Sequence, residues 1–364
     1  MYQCQKAKVE KLCELADLLS NDFTIAFITS HKEKTRNTGD YSLFSVKSEF
    51  YSEELQNKIV GTFKKIGFSV LEFFNEEDFI SFAIKLSSVE RKKLIVINSA
   101  QKGTNIGRKS LIPSFCDLYS IEYIGSNPYV VSLCRDKYRC GNILEQNNIP
   151  TPKAWIYSSK YGWLNESPEK FDKRLIIKPN YESSSIGINK DCIGYYSNSF
   201  AQKIHEYSIT FKQDIIVEEF ISGYEIETPV ICTQQPIIFF PIGIEKDGKK
   251  AIGEQILDYV TRAENYYSLY NFEEHNKVLS EQLINIARKT VLLLDIRGFG
   301  RVDFRIKETG EFFVTDVSTN PHYTEHSSFY VPFKEMKMGY EQMIKSLIAT
   351  VYERISHAEI DFKA

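Results

Sequence analysis

The 364-residue sequence contains no apolar run approaching the length of a membrane span. Its first twenty residues, MYQCQKAKVEKLCELADLLS, are charged and amphipathic and lack the uninterrupted apolar core of a secretory signal. The chain is therefore expected to be cytoplasmic. There is no basic cluster: Lys and Arg number 45 against 48 Asp and Glu, giving a net charge of −3. With a pI near 6.2 the chain has no electrostatic footprint for a phosphodiester backbone, so nucleic acid is not an expected partner. The seven cysteines form no CxxC pair, and the spacing from Cys134 to Cys140 fits neither a zinc nor a redox motif. Reduced, structural thiols are expected. No internal repeat and no low-complexity linker interrupts the chain, which is long enough for two or three modest domains.

What is present centres on the run DFRIKETGEFFVTDVSTNP, Asp303 to Pro321. Val302 to Ile306 and Phe312 to Val317 are apolar, β-rich runs separated by the turn residues Glu308-Thr309-Gly310-Glu311, the pattern of a hairpin. That brings Asp303 and Asp316 to the same end of one ribbon. Two converging carboxylates repel unless a cation lies between them, and hard oxygen ligands suit magnesium on phosphates better than zinc. Two surface acids flanking a hairpin would give the same local pattern.

Two further segments point the same way. IIKPNYESSSIGI, Ile176 to Ile188, reads as a strand ending in Lys178-Pro179 followed by Glu182, Ser183, Ser184 and Ser185 before Gly187. Such a loop can fold its N–H groups over a polyphosphate while the lysine neutralises charge; a polar hairpin turn is the plainer alternative. IIVEEFISGYEIETPVI, Ile215 to Ile231, reads as two strands around a turn at Ser222-Gly223. Its Glu218, Glu219, Phe220 and Ile221 can offer main-chain groups and apolar walls to an adenine, with Glu225 in reach of ribose hydroxyls.

These residues resemble the ATP-grasp ligases, and within them the D-alanine–D-alanine ligase family. The markers, in the family's order, are Gly125-Ser126, Asp136-Lys137, Ile149-Pro150-Thr151-Pro152, the KP…ESSSIG loop, VEEFI…E, GFGRVDF and DVSTNP. The resemblance implies an α/β ATP-grasp fold in three parts: an N-terminal parallel α/β domain over residues 1–127 with an added helix, a central subdomain over 128–213, and a C-terminal domain over 214–364 bearing the metal site. It implies ATP and Mg2+ as cofactors and ligation of a carboxylate to an amine through an acyl phosphate. Lys137 and Lys178 would neutralise the phosphates, Asp303, Asp316 and Ser318 would hold the metal, and Arg301, Arg262 and Ser184 would act on the reacting groups. It also implies small amino or carboxylic acids as substrates and a homodimer through the N-terminal domain.

Several positions depart from the family pattern. Ser318 stands where an asparagine is usual, Ser183 where a glycine is usual, and Arg262-Ala263 where a lid lysine-tyrosine pair is usual. The first-substrate glutamate position is Phe50 if Ser52 heads the first core helix, with Glu49 adjacent, and His322 replaces the glycine after the Asn-Pro turn. Ser327 keeps the serine that holds the acceptor's carboxylate. These changes gather at the substrate positions, so the reading is a peptide or amide ligase of altered specificity. A cell-wall D-alanine–D-alanine ligase and, because of Ser318 and Ala263, a catalytically silent nucleotide-binding protein are the alternatives. His322 and His326, four apart, lack a third ligand of suitable spacing for a metal.

At the N-terminus Val9, Leu12, Ala16 and Leu19 fall at helical spacing. Phe23 to Thr29, Phe68 to Phe73 and Leu94 to Asn98 read as buried strands, and Leu55, Ile59, Phe63 and Ile66 as a helix face. After Gly125-Ser126 a helix is expected to run through Lys137, and two long helices to accompany the acidic hairpin.

Overall fold

The strand Thr24–Thr29 lies between Ser69–Phe73 and Leu94–Ser99, and Glu122–Tyr123 closes a four-stranded sheet in which every pair is parallel. Its IAFI and LIVI runs are buried, as expected of strands covered on both faces. The computed structural model describes residues 2–35, 41 and 44–352. The helix Glu53–Ile66 begins where Ser52 accepts a hydrogen bond from the Leu55 N–H and ends at Gly67, whose φ of 116° few other residues adopt. Between these caps Ile59, Phe63 and Ile66 face the core.

The added N-terminal helix spans Tyr2–Leu19, and Val9, Leu12, Ala16 and Leu19 are all buried, as their spacing predicts. They pack in one core with Met343, Leu347 and Ile348 from the C-terminal helix Tyr340–Ile348. Burial of a leucine in such a seam contributes about 1.5–3 kcal/mol, so the two ends of the described chain are clasped together.

A second, antiparallel sheet orders its strands Gly162–Trp163, Ala154–Ser158, Ile215–Glu219, Leu175–Pro179 and Ile193–Gly194. The expected division at residues 213 and 214 falls just before Ile215–Glu219, which lies in the middle of this sheet because Ile215 and Val217 pack with Leu175 and Ile177. The third sheet is also antiparallel, ordered Ser268–Asn271, Ile242–Glu245, Tyr224–Cys232, Gly298–Ile306 and Phe312–Ser318, with Ile237–Ile238 beside Tyr224–Cys232. A hydrogen bond of 2.8 Å from the Val314 N–H to the Pro150 carbonyl links this hairpin to the segment entering the central sheet.

Two expectations change. The helix expected through Lys137 is two helices, Pro128–Arg135 and Lys137–Gln146, meeting at Asp136. The Asp136 carboxylate accepts from the Arg139 N–H at 3.0 Å and from Asn180 Nδ2 at 2.9 Å, so it starts a new helix instead of extending the old one. Among the described residues of the C-terminal part only Lys277–Leu293 is long, at 17 residues; Tyr340–Ile348 has nine.

All seven cysteines are free thiols, and Cys116, Cys134, Cys140, Cys192 and Cys232 are buried. Burial pushes the Cys13 thiol up to about 12 and raises Cys192 and Cys232 as well. Only a thiolate reacts readily with an alkylating agent. Iodoacetamide added to the folded protein near neutral pH is expected to modify the exposed Cys4 and leave those five untouched until the protein is unfolded, as read by peptide mass spectrometry. Early modification of Cys134 or Cys140 would mean that the core beside the cleft is open.

Candidate active site

Strand register assembles the acidic site. Gly298–Ile306 pairs with Tyr224–Cys232 on one side and Phe312–Ser318 on the other, placing Glu227 opposite Asp303 and Asp303 opposite Asp316. Glu225 pairs with Arg305, and Arg301 with Ser318, in the neighbouring rows. Because side chains alternate along a strand, these polar residues share one face while Ile226, Val302, Phe304 and Val317 fill the core behind it. Val314 and Asp316 are two apart and would ordinarily point the same way. A register shift beside Asp303 leaves Thr315 as the extra residue, so Val314 stays in the core while Asp316 turns to the cleft.

Arg301 organises this face. Its Nε and Nη2 each donate to Asp303 at 2.7 Å, and its Nη1 lies 3.0 Å from Glu227. Arg262 holds the other side of Glu227 at 2.9 Å. Burial alone would raise Glu227, but these two guanidiniums overcome it and bring its pKa to about 2. Asp316 is likewise held below the ordinary aspartate range against its burial, chiefly by Lys137, whose Nζ is 3.5 Å away. Burial raises Asp303, with Glu227 and Asp316 adding to it, against the attraction of Arg301. Both Asp303 oxygens accept from Arg301, so the ionised form is the one this geometry holds.

The residues fit magnesium. Asp303 and Asp316 face each other across the hairpin, disfavour each other's charge, and offer only hard oxygen, with the Ser318 hydroxyl in the next row of the same face. Among the described residues no group of three His, Cys, Asp or Glu side chains is placed to cage a metal. That matches a cation held by one or two carboxylates and completed by phosphate oxygens and water. The pair His322 and His326 gains no third ligand.

The opposite wall comes from the central sheet. Lys178 Nζ lies 2.5 Å from Glu218, and Lys137 Nζ donates to the Glu182 carbonyl at 2.6 Å, so both cations are fixed beside the cleft. Phe220, Ile221, Ile256 and Leu257, with Glu218 and Glu219, line a cavity of about 110 Å³. A larger cavity of about 220 Å³ lies beside it, and Lys178, Ser185 and Glu225 line both. Glu225 also receives Arg305 Nη1 at 3.1 Å. An apolar slot leading past a carboxylate to two lysines and two aspartates has the order of a base, a sugar and a phosphate chain.

In the serine loop Ser183 does not adopt the left-handed backbone a glycine would supply; Ser184 and Ser185 do, with φ of 53° and 56°. Ser185 Oγ donates to the Leu257 carbonyl at 2.5 Å. Gly187 at φ 82° closes the loop where any Cβ would come within 2.6 Å of Pro179 Cγ. The Glu182 side chain is turned away from the lysines to Arg108, at 2.8 Å, so its carboxylate is a structural partner and only its carbonyl meets Lys137.

The expected substrate residues separate. Glu49 lines the cleft, whereas Phe50 is buried in an apolar cluster with Val46, Ile186 and Phe211 and does not reach it. Adjacent residues of the short turn Val46–Glu49 and its cap point in different directions, which accounts for the change. Ser327 donates to the Thr324 carbonyl at 2.7 Å and is not among the cleft-lining residues. His322 lines the cleft, and its backbone φ is not positive. Its ring is reachable by solvent, yet the surrounding protein and the nearby Lys109 and Arg301 depress its pKa, opposed by Glu49.

Sequence reading missed Glu227 and Arg305, although both carry a visible signal. Glu227 follows Glu225 at a spacing of two, and Arg301, Asp303 and Arg305 repeat the same period on the next strand. Lys109 and Arg135, which line the cleft, and Arg108, which contacts Glu182, come from a loop and a helix end and carry no such period.

Residues 145–349 match the family model described as D-ala D-ala ligase C-terminus. A D-alanine–D-alanine ligase of Acetivibrio thermocellus is 27% identical over 271 residues, covering 72% of this chain and 69% of that protein. One from Borrelia duttonii is 28% identical over 261 residues, with 68% of each covered. Among solved structures, the ATP complex of D-alanine–D-alanine ligase from Bacillus anthracis superposes with a TM-score of 0.68 at 19% identity, covering 93% of this chain and 99% of that one. VanG D-Ala:D-Ser ligase from Enterococcus faecalis gives 0.63 at 19% identity, covering 91% and 99%. At that identity the structural likeness concerns the fold.

The geometry makes separate demands on the two ends of a nucleotide. Lys178→Ala is expected to weaken ATP by about tenfold or more, the loss of one charged contact, and AMP much less. Glu225→Ala should weaken both alike. Calorimetry showing the reverse pattern would reverse the orientation of the nucleotide in the cleft.

Proposed function

Because the chain belongs to the D-alanine–D-alanine ligase family, whose members are ATP-dependent ligases releasing ADP and phosphate, we propose that it joins a small carboxylic acid other than D-alanine to the amine of a small amino acid. The observation that carries this reading is the state of Glu49, the carboxylate nearest the position expected to receive a first substrate's ammonium. It accepts from Gln101 Nε2, Lys109 Nζ and Ser183 Oγ, each at 2.7 Å. A carboxylate so fully bonded has little left to offer an ammonium, and an ammonium beside Lys109 would meet like charge.

The chemistry follows from what a carboxylate lacks. Ionised, it is a poor electrophile towards an amine, and ATP supplies the phosphoryl group that turns its oxygen into a leaving group. In this reading Lys137 and Lys178 hold the phosphate charge, Asp303 and Asp316 with Ser318 hold magnesium, and Ser184 and Ser185 fold over the phosphates. Contacts to Asp303 and Glu227 leave part of the Arg301 N–H set for the oxygen that becomes negative when the amine adds. Arg262, docked on Glu227, carries the lid residue's charge to the same place.

A cytoplasmic location and a homodimer through the N-terminal domain belong to the same proposal. No helix among the described residues is long and apolar enough to cross a membrane. Leu111 and Leu118, exposed seven residues apart on the helix Leu111–Tyr119, support an N-terminal interface.

Three experiments test the reading. Substituting Asp316→Ala should abolish ADP formation with any substrate pair, since the cation would lose one of its two carboxylates and phosphate oxygens would face one another without a counter-ion. Ser318→Asn should lower the magnesium concentration giving half-maximal rate; an unchanged or higher requirement would remove Ser318 from the metal site. D-alanine offered as both substrates should release little phosphate, while another acid paired with an amino acid releases more. Efficient D-alanyl-D-alanine synthesis at low-millimolar substrate, with no better pair found, would return the enzyme to the function named for its relatives.

A further inference from the structure

The end of the cleft nearest the N-terminal domain holds an excess of buried positive charge. Arg108, Lys109 and Arg135 gather there around two carboxylates, Glu49 and Glu182, and side-chain exposure is 15% for Lys109 and 8% or less for the other four. Arg108 is fully engaged: it contacts Glu182 at 2.8 Å, Gln101 Oε1 at 3.1 Å and the Asn105 carbonyl at 3.4 Å. Lys109 is committed to Glu49 at 2.7 Å and lies 3.4 Å from Ser183 Oγ.

Arg135 is not committed in the same way. Its Nη1 donates to Ser183 Oγ at 2.6 Å, but its Nε and Nη2 are buried without any hydrogen-bond partner. Nη2 stands 3.8 Å from Glu182 and 4.0 Å from Glu49, beyond hydrogen-bonding reach of either. A guanidinium out of water with unmet donors is costly, and here it is also the third cation around Glu49 and Glu182, while Asp316, which acts on it as well, is taken up by Lys137. It lines the same cavity as Glu49, Ser183 and Asp316. Net charge and unmet donors are independent observations, and both call for an anion.

We propose that Arg135, with Lys109 beside it, binds a second carboxylate of the acid substrate, so that the acid joined by this ligase is a short dicarboxylic acid. This rests on the ligase reading above and specifies its first substrate. One carboxylate is activated and loses an oxygen to the released phosphate as the amide forms; the other passes through unchanged and serves only for recognition. The cavity of about 220 Å³ also takes the phosphate tail, which limits the acid to a few carbons.

The test compares acids matched in length but differing in charge, succinate with butyrate and glutarate with valerate. Calorimetry measures binding to the full chain with magnesium and ATP's non-hydrolysable analogue, and ADP release measures turnover with a panel of amino acids. The dicarboxylates should bind about tenfold or more tightly than their partners. Arg135→Met should erase that difference without changing ATP affinity, and Arg135→Lys should restore part of it. Arg135→Gln, which keeps an N–H for Ser183, replaces the methionine variant if that fails to fold. Equal binding of succinate and butyrate by the wild type overturns the proposal, as does an Arg135 variant that weakens ATP and every acid alike, since Arg135 would then serve phosphate. Preferential binding of a dicarboxylate without ADP release from any pair would uphold the subsite and overturn the ligase reading.

Discussion

Arg301 is the group on which the acidic face depends. Strand register forces Glu227, Asp303 and Asp316 into one row across three strands, and a row of three carboxylates, one buried and two partly buried, resists ionisation unless cations are placed beside it. Arg301 divides its donors between Asp303 and Glu227, while Lys137 serves Asp316 and Arg262 serves the far side of Glu227. The face is thereby held charged before any ligand arrives, and a nucleotide with its cation meets fixed dipoles instead of groups that must first titrate.

A second set of charges joins the N-terminal domain to the serine loop. Arg108 reaches Glu182, Glu49 reaches Ser183, and Tyr41 donates to Glu182 at 2.8 Å. Buried pairs of this kind add little net stability, because desolvation offsets most of the attraction, but they fix orientation strongly. The loop that would cover the phosphates is thus positioned by the same residues that line the acid's end of the cleft. Recognition of the acid and placement of the loop draw on neighbouring side chains of one cluster.

Much of the fold was legible because it rests on short-range periodicity. Val9, Leu12, Ala16 and Leu19 declared a helix, and the runs at Thr24–Thr29, Leu94–Ser99 and Phe312–Ser318 declared strands, since each pattern is written within a single element. The break at Asp136 was not legible in the same way. Asp136 caps the second helix partly through Asn180, more than forty residues away, and no local pattern announces such a partner.

The candidate site divides along the same line. Asp303, Asp316, Lys178 and the serine loop could be singled out from sequence alone because each lies in a run whose composition marks a strand or a turn, whereas the bulge at Thr315 that turns Asp316 to the cleft was decided by the pairing of the two strands. Which faces the cleft, Glu49 or Phe50, depended on the turn Val46–Glu49 and on the apolar cluster that draws Phe50 away. The gathering of Arg108, Lys109 and Arg135 around Glu49 and Glu182 was likewise decided only by tertiary structure. Periodicity is set by backbone geometry and is read within one element; a charge cluster is set by distance in space, and residues brought together by packing carry no trace of it in their order along the chain.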